Sequence, residues 1–369
     1  MNKTATPEGT KKYAGRFANA ARGHFRAAQE LTLSSIGIGT YLGNYDARTD
    51  AHYVESITKF VEAGGNVIDT AANYRFQRSE RNIGQALQDL SAKGFGRDEI
   101  FISTKGGYLP FDGEPPSDVH AYFEKNFVAK GIATFADLVA GSHCIAPDYL
   151  QSQIDQSLKN MSLDALDLFY LHNPESQLGA VDKYTFEARL AKAFEKLEEN
   201  RASGKINFYG AATWNGFRVA PDNKSYHSLE RMLGIAKQIG GAGHGFRFIQ
   251  LPFNLAMPEA YLFKNQAVSG KVYSAFDAAN ELGVSVMCSA SILQGKLAHS
   301  VPLHLRAGLG NPLTDAAASI QFVRSTPNVT TALVGMSSAA HVAENMELVK
   351  QSPVSPENYQ KLFQIAEGN

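Results

Sequence analysis

Four polar side chains stand at or just beyond the ends of apolar runs. Asp69 follows NVI, Lys105 follows IFIST, His172 follows DLFYL, and Tyr74 lies five residues past Asp69. Together they make the parts of a proton-transfer device. A phenol titrates near pH 10 and an ammonium near 10.4, so neither exchanges protons readily at neutral pH on its own. An ammonium about 4 Å from a phenol favours the phenolate and draws the phenol's pKa down. A carboxylate behind the ammonium keeps it charged and in place, and without one a buried lysine is costly. An imidazole beside the phenol orients a substrate oxygen. The set suits protonation of a carbonyl oxygen while a cofactor delivers hydride to the carbon. A placed general acid is typically worth about 10²–10⁴ in rate. Taken singly, each residue has a plainer use: Asp69 as a helix cap, Lys105 at a solvated edge, His172 in the turn before Pro174, Tyr74 as packing. At the ends of three consecutive apolar runs, the joint reading is the stronger one.

The elements that would position them are regular. Short β-rich runs occupy 34–43, 66–71, 99–107, 166–173, 205–214, 246–254, 284–291 and 331–338, each followed by a helical pattern. Such alternation predicts βαβ units and a parallel sheet. One residue near each end (Gly39, Asp69, Lys105, His172, Ala212, Gln250, Ser289, Gly335) recurs at intervals of 30 to 46 residues, with one gap of 67. A strand–helix unit takes roughly 30–40 residues, and eight of them close a (β/α)8 TIM barrel whose strand ends share one mouth. A doubly wound open sheet is the alternative. The long gap predicts an insertion after the third strand, over 107–147, with a short helix capped by Ser117 over 118–130 and another near 135–140. It is read either as a lid or substrate wall, or as a surface loop. Pro147 then opens a helix, and residues 188–204 form another.

Length alone suggests two domains for 369 residues. The strand spacing instead predicts one barrel over 31–352, a solvated basic N-terminal arm over 1–30 and a C-terminal segment over 353–369. A net charge of −1 argues against a nucleic-acid binder or an electrostatic membrane anchor. Cys144 and Cys288 belong to no CxxC pattern, which predicts no disulfide framework, a reducing compartment and a cytoplasmic location. Apolar runs are too short for a membrane span, and the N-terminal segment lacks a secretory apolar core. No HExxH or Cys/His cluster points to a metal.

The stretch GIGTYLG … NVIDTAANY … SERNIG … IFISTKGG … LDLFYLHNPE resembles the aldo/keto reductase family. The resemblance runs from about Leu33 to about Val349. It implies a single (β/α)8 barrel that reduces an aldehyde or ketone with a nicotinamide cofactor, usually NADPH, with NADH also open. It implies Tyr74 as proton donor, Lys105 tuning it, Asp69 supporting Lys105 and His172 orienting the carbonyl. It also implies a cofactor site at Thr213, Gln250, Ser289, Gly295, Gly335, His341, Glu344 and Asn345. Ala212 and Cys288 depart from the family pattern. His341 and Gly335 stand where a cation often meets the 2′-phosphate. The loop after Tyr74 is about two residues longer than usual, and Arg75, Phe76 and Arg78 in it are read either as reshaping the mouth for a different, anionic substrate or as solvated arginines on a turn. The expected partner is a small-molecule carbonyl. Two other readings stay open: a cofactor-binding regulatory or interaction subunit, and a lyase using Lys105 as a Schiff base. The oligomeric state is not legible.

Overall fold

The computed structural model describes residues 3–364, so residues 1–2 of the expected arm and 365–369 of the expected C-terminal segment lie outside it. The described residues form twelve strands: β1 Phe25–Ala28, β2 Leu31–Ser34, β3 Ile36–Gly39, β4 Val67–Asp69, β5 Phe101–Gly106, β6 Leu166–His172, β7 Ile206–Ala212, β8 Phe246–Pro252, β9 Lys264–Val268, β10 Lys271–Ser274, β11 Ser285–Ser289 and β12 Val329–Gly335. The helices are α1 Pro7–Gly15, α2 Ala47–Glu62, α3 Arg78–Ala92, α4 Val119–Phe123, α5 Pro147–Met161, α6 Lys183–Ala202, α7 Leu229–Gly240, α8 Glu259–Leu262, α9 Ala275–Glu281, α10 Leu303–Gly308, α11 Asp315–Ser325, α12 Ala339–Met346 and α13 Pro356–Gln364.

Strands β3 to β8, then β11 and β12, close a barrel in which every neighbouring pair is parallel. The expected (β/α)8 barrel is therefore present, and each of the eight runs contains its strand or, for the last, overlaps it. Side chains alternate between two faces along a strand. On β5, Phe101 packs in the barrel interior, whereas Ile102 joins the core beneath the helices. On β6, Leu168 and Tyr170 face inward, and Phe169 and Leu171 outward. This alternation carries Lys105, His172 and, on β8, Gln250 to the inner face at the C-terminal ends.

The expected solvated arm is instead part of the fold. Thr6 caps α1 by accepting from Gly9 N at 2.9 Å. Tyr13 is fully buried, and its hydroxyl donates to Val61 O at 2.5 Å and Gly65 O at 3.0 Å. The β1–β2 hairpin packs Ala28, Leu31 and Leu33 in one cluster with Val67, Phe101, Phe248 and Leu333, which closes the bottom of the barrel. Polar composition hid these contacts, because each apolar residue of the arm is useful only against the barrel. A second unexpected hairpin, β9–β10, lies between β8 and β11.

The insertion carries a small core of its own: Leu109, Phe123, Phe127, Ala133, Cys144 and Tyr149. Asp118, not Ser117, caps its helix by accepting from Ala121 N at 2.9 Å. That helix is shorter than expected and passes into a π-helical turn over Glu124–Val128; the second reduces to a 3₁₀ turn over Phe135–Asp137. Helix α6 starts earlier than expected because Asp182 caps it, accepting from Thr185 N at 2.9 Å. Among the described residues no helix is long and apolar enough to cross a membrane.

The buried arm has a pH consequence. His24 is fully buried, its Nε2 lying 2.9 Å from Gly64 O, and burial pulls its pKa down to about 4. In the unfolded chain it titrates near 6.5. Below pH 6.5 the unfolded state therefore binds the proton first, and stability falls as pH drops from about 6.5 towards 4. The slope of unfolding free energy against pH across that window, measured by urea titration, should be shallower in His24→Asn than in the parent. Equal slopes would remove His24 as the source.

Candidate active site

Asp69 ends β4 and collects three donors, two from the adjacent β5 and one from β8 across the barrel. Its Oδ1 accepts from Ser103 Oγ at 2.7 Å and from Gln250 Nε2 at 2.9 Å. Its Oδ2 accepts from Lys105 Nζ at 2.6 Å. Lys105 also donates to Thr70 O at 2.7 Å. The ion pair is buried, Lys105 being 1% and Asp69 5% exposed. Burial draws the Lys105 pKa down, and the Asp69 carboxylate opposes that. A cation so held is spoken for: its hydrogens point at a carboxylate and a carbonyl. Nothing in this arrangement favours the Schiff-base reading.

Above the pair lies Tyr74, whose ring centroid is 5.0 Å from Lys105 Nζ. The ring of His172 meets that of Tyr74 edge-on at 5.8 Å, and Tyr41 covers its other side at 4.9 Å. Burial, reinforced by the Asp69 charge, pushes the Tyr74 phenol well above its ordinary value. Loss of water and the Asp69 charge thus act against the lowering expected from an ammonium, and the resting phenol keeps its proton. Burial and the Lys105 charge hold the His172 pKa well below 6.5, so its ring is neutral. His172 Nδ1 is buried with no hydrogen-bond partner among the described residues.

Tyr41, Asp69, Tyr74 and His172 line a cavity of about 390 Å³ at the C-terminal mouth. Of the expected cofactor residues, Thr213, Gln250, Ser289 and Gly335 line it. Gly295 closes the adjoining turn, next to the lining residue Gln294. His341, Glu344 and Asn345 lie apart from the cavity, on α12, which follows Gly335. His341 and Glu344 are exposed, while Asn345 is buried. Thr213 Oγ1 and Asn345 Oδ1 are buried with no hydrogen-bond partner among the described residues. Such atoms normally find a partner, and each is costly if it does not.

Several wall residues were not anticipated: Tyr41, Asn73, Tyr108 and Asn173. Each lies in a loop beside a strand end, a position that could have been read from the barrel topology. Ser103 was also missed, although it lies two residues before Lys105 on the same face. Tyr108 is the insertion's contribution to the cavity, so the insertion serves as wall, and most of its bulk packs elsewhere. From behind, His143 Nε2 donates to His172 O at 2.7 Å, and Gln177 Nε2 donates to His143 Nδ1 at 2.8 Å. Gly107 makes room for this: at φ +143°, a Cβ there would stand 2.9 Å from His143 Nε2 and 3.1 Å from His172 O.

Cys288 belongs to the core beneath the helices and not to the cavity, because it lies on the outward face of β11. Arg75 and Arg78 both pair with Asp50, and neither lines the cavity. No lysine or arginine lines the cavity among the described residues.

The chain matches the aldo/keto reductase family over residues 35–232, more than half its length. It belongs to that family. Among curated relatives it is 28% identical over 198 residues to a D-threo-aldose 1-dehydrogenase from a Pseudomonas species, covering 50% of this chain and 51% of the relative. It is 24% identical over 191 residues to an NADH-specific methylglyoxal reductase from Escherichia coli K12, covering 50% and 49%. The chain thus spans about half the length of these relatives. Two solved aldo/keto reductase folds resemble the whole barrel. A glycerol dehydrogenase from Gluconobacter oxydans superposes with a TM-score of 0.65 at 17% identity, covering 94% of this chain and 95% of that one. An aldo/keto reductase from Klebsiella pneumoniae, solved with NADP and acetate, gives 0.61 at 18% identity, covering 94% and 95%.

The ion pair makes a stability test. Removing one charge from a buried pair leaves the other uncompensated and costs about 3–5 kcal/mol. Asp69→Asn should lose that much unfolding free energy by chemical denaturation. A loss below about 1 kcal/mol would mean that Lys105 finds another counter-charge.

Proposed function

We propose that this aldo/keto reductase family member reduces an aldehyde or ketone with a nicotinamide dinucleotide, Tyr74 donating the proton to the carbonyl oxygen. The observation that carries the reading is the neutral phenol of Tyr74 at the cavity wall, above a buried Lys105–Asp69 pair and beside a neutral His172. When bound, the dinucleotide supplies hydride to the carbonyl carbon. His172 donates a hydrogen bond from Nε2 to the carbonyl oxygen and so aims it at the Tyr74 hydroxyl. As the oxygen gains charge, Tyr74 passes its proton across, and the phenolate that forms stands over the Lys105 ammonium. Asp69 holds that ammonium charged and fixed, so the positive field is in place before charge develops. The aromatic side chains of Tyr41, Tyr108 and Trp214 flank the site of transfer.

The cofactor assignment rests on this chain's own groups as well as on the relatives. Thr213 and Gln250 offer a hydroxyl and an amide on the inner wall, Ser289 and Gly335 line the same cavity, and Gly295 gives the adjoining loop a glycine turn. Asn345 and Glu344 on α12 present amide and carboxylate oxygens for the adenosine end. NADPH is the assigned cofactor, the Klebsiella structure holding NADP, and NADH is the second candidate, for which the methylglyoxal reductase is specific. His341 at the α12 start presents an imidazole where an arginine fork would bind a 2′-phosphate more firmly. The substrate is a small carbonyl compound without a required negative charge.

Tyr74→Phe tests the reading. It should lower kcat for carbonyl reduction by about 10²–10⁴. The Kd for NADPH, followed by fluorescence of Trp214, the sole tryptophan, should change less than about threefold. Undiminished reduction by Tyr74→Phe would remove Tyr74 as the donor. NADPH binding with no carbonyl turned over by the parent chain would favour a regulatory subunit.

A further inference from the structure

The chain leaves Tyr74 through an uncommon turn. Arg75, Phe76 and Gln77 have φ of +48°, +54° and +69°, three successive left-handed residues without a glycine. L-residues disfavour this conformation, and a run of three does not persist unless its surroundings hold it. The surroundings here are specific. Arg75 is 7% exposed and spends its whole guanidinium: Nε donates to Asn44 O at 2.8 Å, one terminal nitrogen to Asn82 Oδ1 at 2.8 Å, the other to Asp50 Oδ1 at 2.7 Å. Its plane also lies 5.0 Å from the Tyr53 ring centroid. Asp50 takes Arg78 on its second oxygen. Gln77 is tied in turn, donating to Pro110 O at 2.9 Å and accepting from Asn160 at 3.1 Å.

We propose that Arg75, anchored on Asp50, is a positioning residue that aims the Tyr74 phenol into the cavity. Arg75 does not line the cavity, so it acts through the turn and touches no reacting atom. The inference rests on the reading of Tyr74 as proton donor. A planar fork reaches three acceptors at once, which fixes the direction in which the chain departs from Tyr74. Released, the turn relaxes towards right-handed geometry and carries the phenol with it. Misplacement of a reacting group by about 1 Å can cost about 100-fold in rate.

The test is a double-mutant cycle between position 75 and Tyr74. Arg75→Gln should lower kcat by about 10- to 100-fold with KM held within about twofold. In a Tyr74→Phe background the same change should alter kcat by less than about twofold, because the group it aims is gone. Asp50→Asn, which keeps its place at the start of α2, should act in the same direction by about 3- to 10-fold. It decides the matter if Arg75→Gln does not fold. A folded Arg75→Gln or Asp50→Asn with parental kcat overturns the inference, as does an equal loss in both backgrounds. Tyr74→Phe turning over at the parental rate sinks the proton-donor reading and this inference with it. Loss in Tyr74→Phe without loss in Arg75→Gln sinks this inference alone.

Discussion

A lysine that is 1% exposed has left water almost completely, and the surrounding barrel is arranged to compensate it. Asp69 supplies the counter-charge at 2.6 Å, and Thr70 O takes a second hydrogen. The carboxylate must be satisfied in turn, which Ser103 from β5 and Gln250 from β8 do. A buried pair of this kind contributes little net stability, since desolvation offsets most of the attraction. What it supplies is a fixed charge at a defined depth, reached only when β4, β5 and β8 are held around one axis by closure. The barrel is thus the condition for the ion pair, and under the proposed function the ion pair is the condition for Tyr74 to give its proton to a carbonyl.

The groups above the pair are held from outside the cavity. Tyr74 is followed by the left-handed turn over residues 75–77, and the His172 carbonyl receives a hydrogen bond from His143 of the insertion. The insertion therefore reaches the chemistry by two routes: Tyr108 on the wall and His143 behind it. Its separate small core lets it be built without disturbing the barrel. Asn173 donates to Tyr108 Oη at 3.2 Å, so the wall residue is tied to the residue next to His172.

The sequence made the strand ends legible because topology brings them together: Asp69, Lys105 and His172 need only end successive inward-facing strands. Contacts that depend on a distant surface were not legible. Tyr13 and His24 look like members of a polar arm until the barrel bottom they cover is known. Arg75 and Arg78 announce charge but not its partner, and Asp50 had no mark to single it out. Cys288 follows the inward-facing Met287 on β11, and a shift of one residue turns a side chain to the other face of a strand. The direction of the Tyr74 pKa was misjudged because the ammonium was weighed without the loss of water around the phenol.

The central claim is that the Lys105 charge, held by Asp69, stabilises the phenolate that Tyr74 becomes during carbonyl reduction. Single-turnover reduction of an aldehyde by C4-deuterated NADPH, analysed by mass spectrometry of the alcohol, addresses it most directly when Lys105→Met is compared with the parent. The account requires deuterium at the carbinol carbon with the parent chain, and at least a 100-fold slower transfer with Lys105→Met while cofactor binding persists. Transfer at an unchanged rate in Lys105→Met would contradict it.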